Sequence, residues 1–361
     1  MWVYFILLLI PLAIQHLKIK RNHFDYQKKN QWALLFFFVM MTLLIALRHE
    51  SIGKDTRSYI YYFEHFSKLS WEQCGKESIE WGYAYFNKII SLFTNESQVF
   101  LAITAIANIA MIYPTYKRLC VDSSLTIVLY VTMSTFVMAF SGIRQMLAIG
   151  IGFLAYECTR KKLIIPFFLC VILAMLFHTS AFVLVFMYPL YHVKITKNWL
   201  LAVVPMLIFL FIFNRQIFLG IGLLLARFTQ YDTSIVHTGA FTMLFLFIIL
   251  SVFAFLVPDD TKLDDETIGL RNFLLLTVVF QMFAPLHSIA MRMNYYYIIF
   301  IPLLIPKIIE ARNNRLGQIA TVSRHVMVAF FFVYFFFNAY IGSQTNGGSL
   351  NTYPYIPFWA E

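Results

Sequence analysis

The sequence predicts an all-α integral membrane protein, and three observations support that fold class. Hydrophobic residues make up 60% of the 361 residues, charged residues make up only 13%, and the mean hydropathy is +0.71. A soluble domain of this length needs more polar surface than this chain can supply. The long apolar runs are unbroken, whereas the strands of a transmembrane barrel alternate apolar and polar residues. The composition therefore excludes a soluble enzyme, a disordered chain and a collagen-like fibre.

Apolar segments recur along the whole chain, and a helix needs about 17–25 residues to cross a bilayer. We predict a single integral membrane domain over residues 1–361, with about 10–12 transmembrane helices and some short broken or re-entrant ones. The predicted spans are 1–17, 31–47, 98–116, 124–141, 145–159, 163–177, 180–191, 199–213, 239–257, 271–287, 292–306 and 325–342. Residues 163–191 form either one long tilted helix or two halves broken around His178. Segments 81–94 and 216–228 predict interfacial or re-entrant helices.

Basic residues predict the orientation, because cytoplasmic loops are enriched in Lys and Arg. Of the 28 Lys and Arg residues, 18 lie in or border the loops that we place inside. These loops are 18–30, 117–123, 160–162, 192–198, 258–270 and 307–324. Both termini are then predicted to lie outside. The net charge of +10 is thus a topology signal, and no basic stripe with stacking aromatics indicates nucleic-acid binding.

The longest predicted outer loop, residues 48–97, is rich in carboxylates and aromatic rings. Its acidic residues are Glu50, Asp55, Glu64, Glu72, Glu77, Glu80 and Glu96, and its aromatic residues include Tyr59, Tyr61, Tyr62, Trp71, Trp81, Tyr83 and Tyr85. Such a composition argues against disorder. Two interpretations stay open: the aromatic rings form a belt at the membrane surface, or they form a platform for sugars.

Four ionisable residues lie in apolar surroundings, where burial is costly and function is the default hypothesis. They are Arg144, His178, His287 and Arg292, and the predicted topology places all four at the outer face. Each has a structural alternative. The arginines could extend to lipid headgroups, His178 could break a helix with a backbone carbonyl as its partner, and His287 is better explained as structural. Arg227 and His237 flank an outer loop and are explained by exposure.

These residue types indicate chemistry on a phosphorylated sugar. Two guanidinium groups at one face suit a pyrophosphate, because each planar fork binds two oxygens. A nearby histidine suits proton transfer, and Asp55 or Glu80 could activate a sugar hydroxyl. The four cysteines lack C-x-x-C spacing, so neither a zinc site nor a disulfide framework is indicated. Without a nucleotide-binding motif, we expect no cofactor and no metal, and the reaction energy must come with the substrate.

The order of several short motifs resembles the EpsG family of bacterial exopolysaccharide proteins, which includes Wzy-type O-antigen and capsule polymerases. The motifs are RHESIGKDTRSY (Arg48, Gly53, Asp55, Tyr59), EWGY (Glu80, Gly82, Tyr83), RQMLA (Arg144, Gln145), HTSA (His178, Ser180) and RMNYY (Arg292, Tyr295, Tyr296). The resemblance covers roughly residues 30 to 310. The family usually reads EPGY where this chain has EWGY.

The resemblance implies a polymerase at the outer face of the bacterial cytoplasmic membrane, with a glycosyltransferase-C-like helical fold and no metal. Such enzymes transfer the growing glycan from undecaprenyl pyrophosphate to the next lipid-linked repeat unit. Membrane lipid and a chain-length regulator protein are the other expected partners. Roles expected here are catalysis by Asp55, Glu80 and His178, pyrophosphate binding by Arg48, Arg144 and Arg292, and sugar contacts by Tyr59, Tyr83, Gln145 and Tyr295.

Two other classes of function are retained as alternatives. One is a different membrane transferase, either a single-sugar enzyme that uses a polyprenyl-linked donor or a glycan O-acyltransferase. The other is a transporter or flippase for the lipid-linked unit. Transporters often have two related halves with ion sites at the midplane. The sequence has no such repeat, and its embedded charges are predicted at one face, which argues against transport.

Overall fold

A computed structural model describes residues 2–16, 23–224, 239–312, 317–344 and 348–360, and these residues are almost entirely helical. They form α-helices and short 3-10 segments with no β-strand, apart from two isolated bridges. The predicted all-α fold class is therefore confirmed. The chain separates into two compact units, residues 1–184 with 322–361, and residues 185–321.

The helices are numbered here in chain order. The first ten are α1 (Trp2–His16), α2 (His23–Ala46), α3 (Thr56–Lys68), α4 (Trp71–Cys74), α5 (Trp81–Ser91), α6 (Ser97–Leu119), α7 (Ser123–Thr132), α8 (Ser134–Ser141), α9 (Ile143–Arg160) and α10 (Ile164–Phe177). The others are α11 (Met187–His192), α12 (Leu200–Ile212), α13 (Asn214–Leu224), α14 (Gly239–Leu256), α15 (Asp265–Phe283), α16 (Ser288–Ile298), α17 (Ile301–Glu310) and α18 (Gly317–Gln344).

Several helices are long and apolar enough to span a membrane. Among the described residues four qualify alone, within α2, α6, α15 and α18, and up to seven spans result if each of three bent pairs is counted as one. The pairs are α7 with α8, α12 with α13, and α16 with α17. Shorter apolar helices lie within α1, α10 and α14. The chain is thus a polytopic helical protein, although the single spans predicted over 124–141 and 292–306 are broken.

Of the two arrangements that the sequence left open for residues 163–191, the structure has the break at His178. Helix α10 ends at Phe177, His178 is extended with φ −156° and ψ 119°, and a 3-10 segment covers Thr179–Phe186. Residues 163–191 are therefore not one continuous helix. Broken backbone of this kind is tolerated at membrane depth only where it is buried in protein or lines a cavity.

In the first unit, α9 packs against α6, α8 and α10, and α2 packs against α1, α6 and α7. The short helices α3 and α5 pack on each other, with α3 on α6 and α5 on α10. Loops predicted inside meet at one end of this unit, where Arg118 pairs with Glu157 and Arg324 pairs with Asp122. We call this the inner end, and the end formed by the 48–97 loop the outer end, following the predicted topology.

The second unit is organised around α15, which contacts α11, α12, α13, α14, α16 and α17. Arg271 on this helix is buried. Its guanidinium pairs with Asp260 at 3.2 Å, donates to the Ile195 carbonyl at 2.7 Å and lies 4.2 Å from the Phe255 ring centroid. An apolar groove of about 470 Å³ lies between α12, α14 and α15 of this unit.

Candidate functional site

The outer end of the first unit contains a close ion pair between two residues that the sequence had singled out separately. Arg144 at the start of α9 donates through Nη1 to Oε2 of Glu80 at 2.6 Å. The two side chains are only 24% and 20% exposed, so the pair is partly shielded from water. No described residue accepts a hydrogen bond from the buried Nε of Arg144, so the guanidinium keeps donor capacity beyond this pair.

Glu80 is held on its other oxygen by Thr179. Both the backbone N–H and the hydroxyl of Thr179 donate to Oε1, at 3.1 and 2.9 Å. A carboxylate is favoured at this position, because the unpaired N–H groups at the start of a helical segment carry partial positive charge. Glu80 therefore joins α5, the start of α9 and the chain break that follows α10.

The ionisation of Glu80 follows from these contacts. Burial alone would raise the pKa of this carboxyl, but the Arg144 charge and the hydrogen bonds from Thr179 and the backbone outweigh burial. The pKa of Glu80 is consequently lowered. Glu80 is an anion at neutral pH with both oxygens engaged, which suits holding Arg144 better than accepting a proton.

The turn that carries Glu80 leads directly into α5. Glu80 is the N-cap residue of α5 and Trp81 takes the first helical position, where proline is tolerated but not required. Gly82 allows α5 to approach α10 closely, since a Cβ built on it would lie 2.7 Å from the carbonyl oxygen of Leu176. The glycine of EWGY is thus needed for this contact.

Two tyrosine side chains, Tyr59 and Tyr83, contact the guanidinium of Arg144. The Tyr83 ring centroid lies 5.8 Å from the guanidinium carbon, and Tyr59 makes a side-chain hydrogen bond with the same guanidinium. The two rings pack edge to face with centroids 5.9 Å apart. Both belong to a buried cluster that includes Phe63 and Ile143. Tyr59, Tyr83 and the buried Gln145 contact protein here, and sugar contacts by them stay a prediction.

Arg48 is fully buried at the same end of the unit. Its Nη1 donates to the Ile45 carbonyl at 2.6 Å, whereas no described residue accepts a hydrogen bond from its Nε or Nη2. Burial lowers the pKa of Arg48 to about 10, and Tyr355 and Tyr59 oppose that shift. Arg48 is thus charged at neutral pH, and Tyr59 lies within electrostatic range of both Arg48 and Arg144.

The C-terminal segment 348–360 lies against the loop that carries Arg48. Backbone hydrogen bonds join the two, among them the N–H of His49 to the carbonyl of Ile356 at 2.9 Å. Sequence reasoning missed this segment and also missed Thr179. A signal for Thr179 was available, because a hydroxyl residue directly after a predicted helix break often binds a carboxylate or caps the next turn.

Asp55 precedes α3 and lies one helical turn before Tyr59. Its N–H donates to the Ser141 hydroxyl at 3.3 Å, but no described residue makes an ion pair or hydrogen bond with its half-buried carboxylate. Gly53 shapes this loop, because its φ of +88° favours glycine and a Cβ there would lie 2.1 Å from the Phe140 carbonyl oxygen.

Arg292 and Tyr295 lie on α16 in the second unit. The Arg292 side chain is exposed and Tyr295 is buried. Pyrophosphate binding by Arg292 and sugar contact by Tyr295 stay predictions. Arg227 and His237 lie outside the described residues. Within the described part of the chain, no group of three His, Cys, Asp or Glu residues could hold a metal ion.

The chain was compared with protein-family models, curated proteins and solved structures. A model of the EpsG family matches residues 31–356. That range includes the Arg48 loop, Glu80, Arg144, His178 and most of the C-terminal segment. Neither a curated protein sequence nor a solved structure matches the chain.

Proposed function

The chain belongs to the EpsG family, and we propose that it is a polysaccharide polymerase of the Wzy type. It transfers the growing glycan from undecaprenyl pyrophosphate to the non-reducing end of the next lipid-linked repeat unit, at the outer face of the bacterial cytoplasmic membrane. Membrane lipid surrounds it, and a chain-length regulator is a candidate protein partner.

The observation that carries the proposal is the Arg144–Glu80 pair with Arg48 close by. Arg144 and Arg48 have buried nitrogen donors that no described residue satisfies, and both lie near Tyr59. Buried charge without enough partners is costly. A pyrophosphate offers the oxygens and the negative charge that two such guanidinium groups require.

In the proposed reaction, an acceptor hydroxyl oxygen attacks the anomeric carbon of the donor glycan. The bond from that carbon to the pyrophosphate oxygen breaks, and the pyrophosphate leaves with the electron pair. Arg144 and Arg48 stabilise the charge that builds on the leaving group, and Arg292 is proposed to assist. The hydroxyl proton passes to a carboxylate.

Asp55 is the better candidate for that base. Its carboxylate has no hydrogen-bond or ion-pair partner among the described residues. Both oxygens of Glu80, in contrast, already accept hydrogen bonds, one from Arg144 and the other from Thr179. We therefore assign proton acceptance to Asp55 and the orientation of Arg144 to Glu80. Tyr295 and the supporting tyrosines are proposed to contact sugars as the glycan passes.

The direct test is incubation of the purified full-length protein with its lipid-linked repeat unit, followed by gel separation of the products. A polymerase yields a ladder that rises by whole repeat units. Addition of one sugar or one acyl group would instead indicate the alternative transferases. In cells that lack the gene, a polymerase leaves the lipid-linked unit on the outer side, and a flippase would leave it on the inner side.

A further inference from the structure

The C-terminal segment 348–360 lies along the loop that carries Arg48. An isolated antiparallel bridge pairs Arg48 itself with Pro357. The Tyr4 hydroxyl donates to the carbonyl of Thr352 at 2.7 Å and so anchors the segment to α1. Backbone hydrogen bonds complete the contact, from the N–H groups of His49, Gly53, Lys54 and Phe358 to the carbonyls of Ile356, Asn351, Leu350 and Leu47. The segment is thus attached to the loop mainly through its backbone.

This segment is an outer layer of the fold at the Arg48 loop. Its Thr352 and Tyr353 side chains are buried, whereas Phe358 and Trp359 are 45% and 64% exposed. The Arg48 side chain, which lies against the segment, is 0% exposed. The segment therefore separates Arg48 from the exterior on this side of the loop.

Among the described residues, Arg48 has no acidic partner. The neighbouring Glu50 pairs with Arg57 at 3.2 Å, and no described residue accepts a hydrogen bond from Nε or Nη2 of Arg48. Tyr355 of the C-terminal segment lies within electrostatic range of this guanidinium, but no hydrogen bond joins the two side chains. A buried charge without partners is costly. An anion between the guanidinium and the phenol hydroxyl would accept hydrogen bonds from both.

We propose that the C-terminal segment is a lid on the pyrophosphate site, which opens to admit the donor to Arg48 and, when closed, brings the Tyr355 hydroxyl to the same pyrophosphate. The inference rests on the proposed polymerase function, which assigns the anion to Arg48. Arg48 cannot contact a substrate while it is fully covered, so that assignment requires the cover to move. Closure of such a lid excludes water and strengthens the electrostatic interactions inside.

Hydrogen exchange of the purified full chain in detergent tests the lid, with inorganic pyrophosphate as the probe. The informative amides are those whose hydrogen bonds break when the segment opens, namely His49, Gly53, Lys54 and Phe358. At a pyrophosphate concentration about ten times its Kd, exchange at these amides should slow about tenfold. Sodium chloride of equal ionic strength should leave exchange unchanged. Arg48→Gln should abolish the protection, and Tyr355→Phe should weaken it.

A further variant loosens the lid at a contact away from Arg48. Tyr4→Phe removes the hydrogen bond to the Thr352 carbonyl, so exchange at the same amides without pyrophosphate should be about two- to tenfold faster. The matched control is Tyr130→Phe, which removes a buried hydroxyl that has no hydrogen-bond partner among the described residues. Exchange in this control should equal that of the wild type.

Several outcomes would overturn the lid. They are exchange that pyrophosphate leaves unchanged in the wild type, protection that is equal in Arg48→Gln, or equal exchange in Tyr4→Phe and Tyr130→Phe. Full protection in Tyr355→Phe would overturn the contact assigned to Tyr355. Ladder formation by the same preparation tests the proposed function separately. A ladder without protection by pyrophosphate overturns the lid alone, whereas protection without a ladder supports the lid and overturns the polymerase function.

Discussion

Helix α9 contributes one residue to an arginine–glutamate pair at each of its ends. The two pairs differ in whether their arginines keep buried hydrogen-bond donors without an acceptor among the described residues. At the inner end, Glu157 accepts from Arg118 at 2.7 Å, from Arg160 at 2.9 Å and from Thr115 at 3.2 Å. There one carboxylate is shared by two cations close to the predicted cytoplasmic loops. At the outer end, one arginine meets one glutamate whose remaining oxygen is taken by Thr179.

The difference indicates which pair serves chemistry. At the inner end two guanidinium groups share the Glu157 carboxylate, next to loops whose basic residues predict a cytoplasmic position. At the outer end no described residue accepts a hydrogen bond from the buried Nε of Arg144, or from the Nε and Nη2 of Arg48. Buried donors without a partner call for an explanation. Both pairs link parts of the fold, and the outer one is the pair that we propose for anion binding.

The largest expected effect is on the proposed base. Asp55→Asn should reduce the rate of ladder formation by about 10²–10⁴, because the amide cannot accept the hydroxyl proton. The inner-end control is Asp122→Asn. That residue caps α7 and pairs with Arg324, so its loss should lower the unfolding temperature and leave the rate unchanged. Equal rate losses in both variants would remove Asp55 from the mechanism.

A smaller effect is expected at the carboxylate that orients Arg144. Glu80→Gln removes the charge and leaves one acceptor oxygen where the carboxylate uses two, Oε2 for Arg144 and Oε1 for Thr179. We therefore expect a loss of about tenfold, equal to about 1.4 kcal/mol of barrier. Glu157→Gln at the inner end should leave the rate unaltered. The distinction between the two ends fails if Glu157→Gln slows the ladder as much as Glu80→Gln does.

The packing of α5 on α10 can be perturbed without touching a charge. Gly82→Ala places a Cβ 2.7 Å from the Leu176 carbonyl oxygen, and backbone cannot yield as a flexible side chain can. We expect destabilisation of about 1–3 kcal/mol. In Gly152→Ala on α9 the new Cβ meets only Leu184 methyl groups at 3.3 Å, and a smaller change should follow. Thermal unfolding of both variants measures the difference in destabilisation. Equal stability of the two variants would contradict the close approach of Gly82 to the Leu176 carbonyl.

The smallest expected effect is a pH dependence. The pKa of Glu80 is lowered in the folded chain, so its contribution to stability is complete above its unfolded pKa of about 4.3. That contribution is lost as the pH falls through the folded pKa. Unfolding temperatures of the wild type and Glu80→Gln should differ by a constant amount from about pH 6 to 8. The two unfolding temperatures should converge as the pH falls through the folded pKa of Glu80. A difference that grows with acidity would contradict a lowered pKa for Glu80.

The fold class and the individual residues Glu80 and Arg144 could be predicted from the sequence. The contact between these two side chains could not. Apolar runs predict helices, and a histidine between two such runs made the break at His178 one of two alternatives. Glu80 and Arg144 were recognised separately, since they are 64 positions apart in the chain, and the packing of α5 on α10 and of α10 on α9 brings them together. The break after Thr132 and the contact of segment 348–360 with the Arg48 loop depend on tertiary packing, which leaves no periodic signal.

The most direct measurement replaces by lysine the arginine of each pair, Arg144 at the start of α9 and Arg118 of α6, which pairs with Glu157 near the end of α9. It compares the ladders that the two variants form from the lipid-linked repeat unit. A lysine keeps the charge but cannot replace a planar fork that holds Glu80 and an anion together. We expect Arg144→Lys to lose about 10²–10³ in rate and Arg118→Lys to form a wild-type ladder. A wild-type ladder from folded Arg144→Lys would contradict the assignment of chemistry to the outer end.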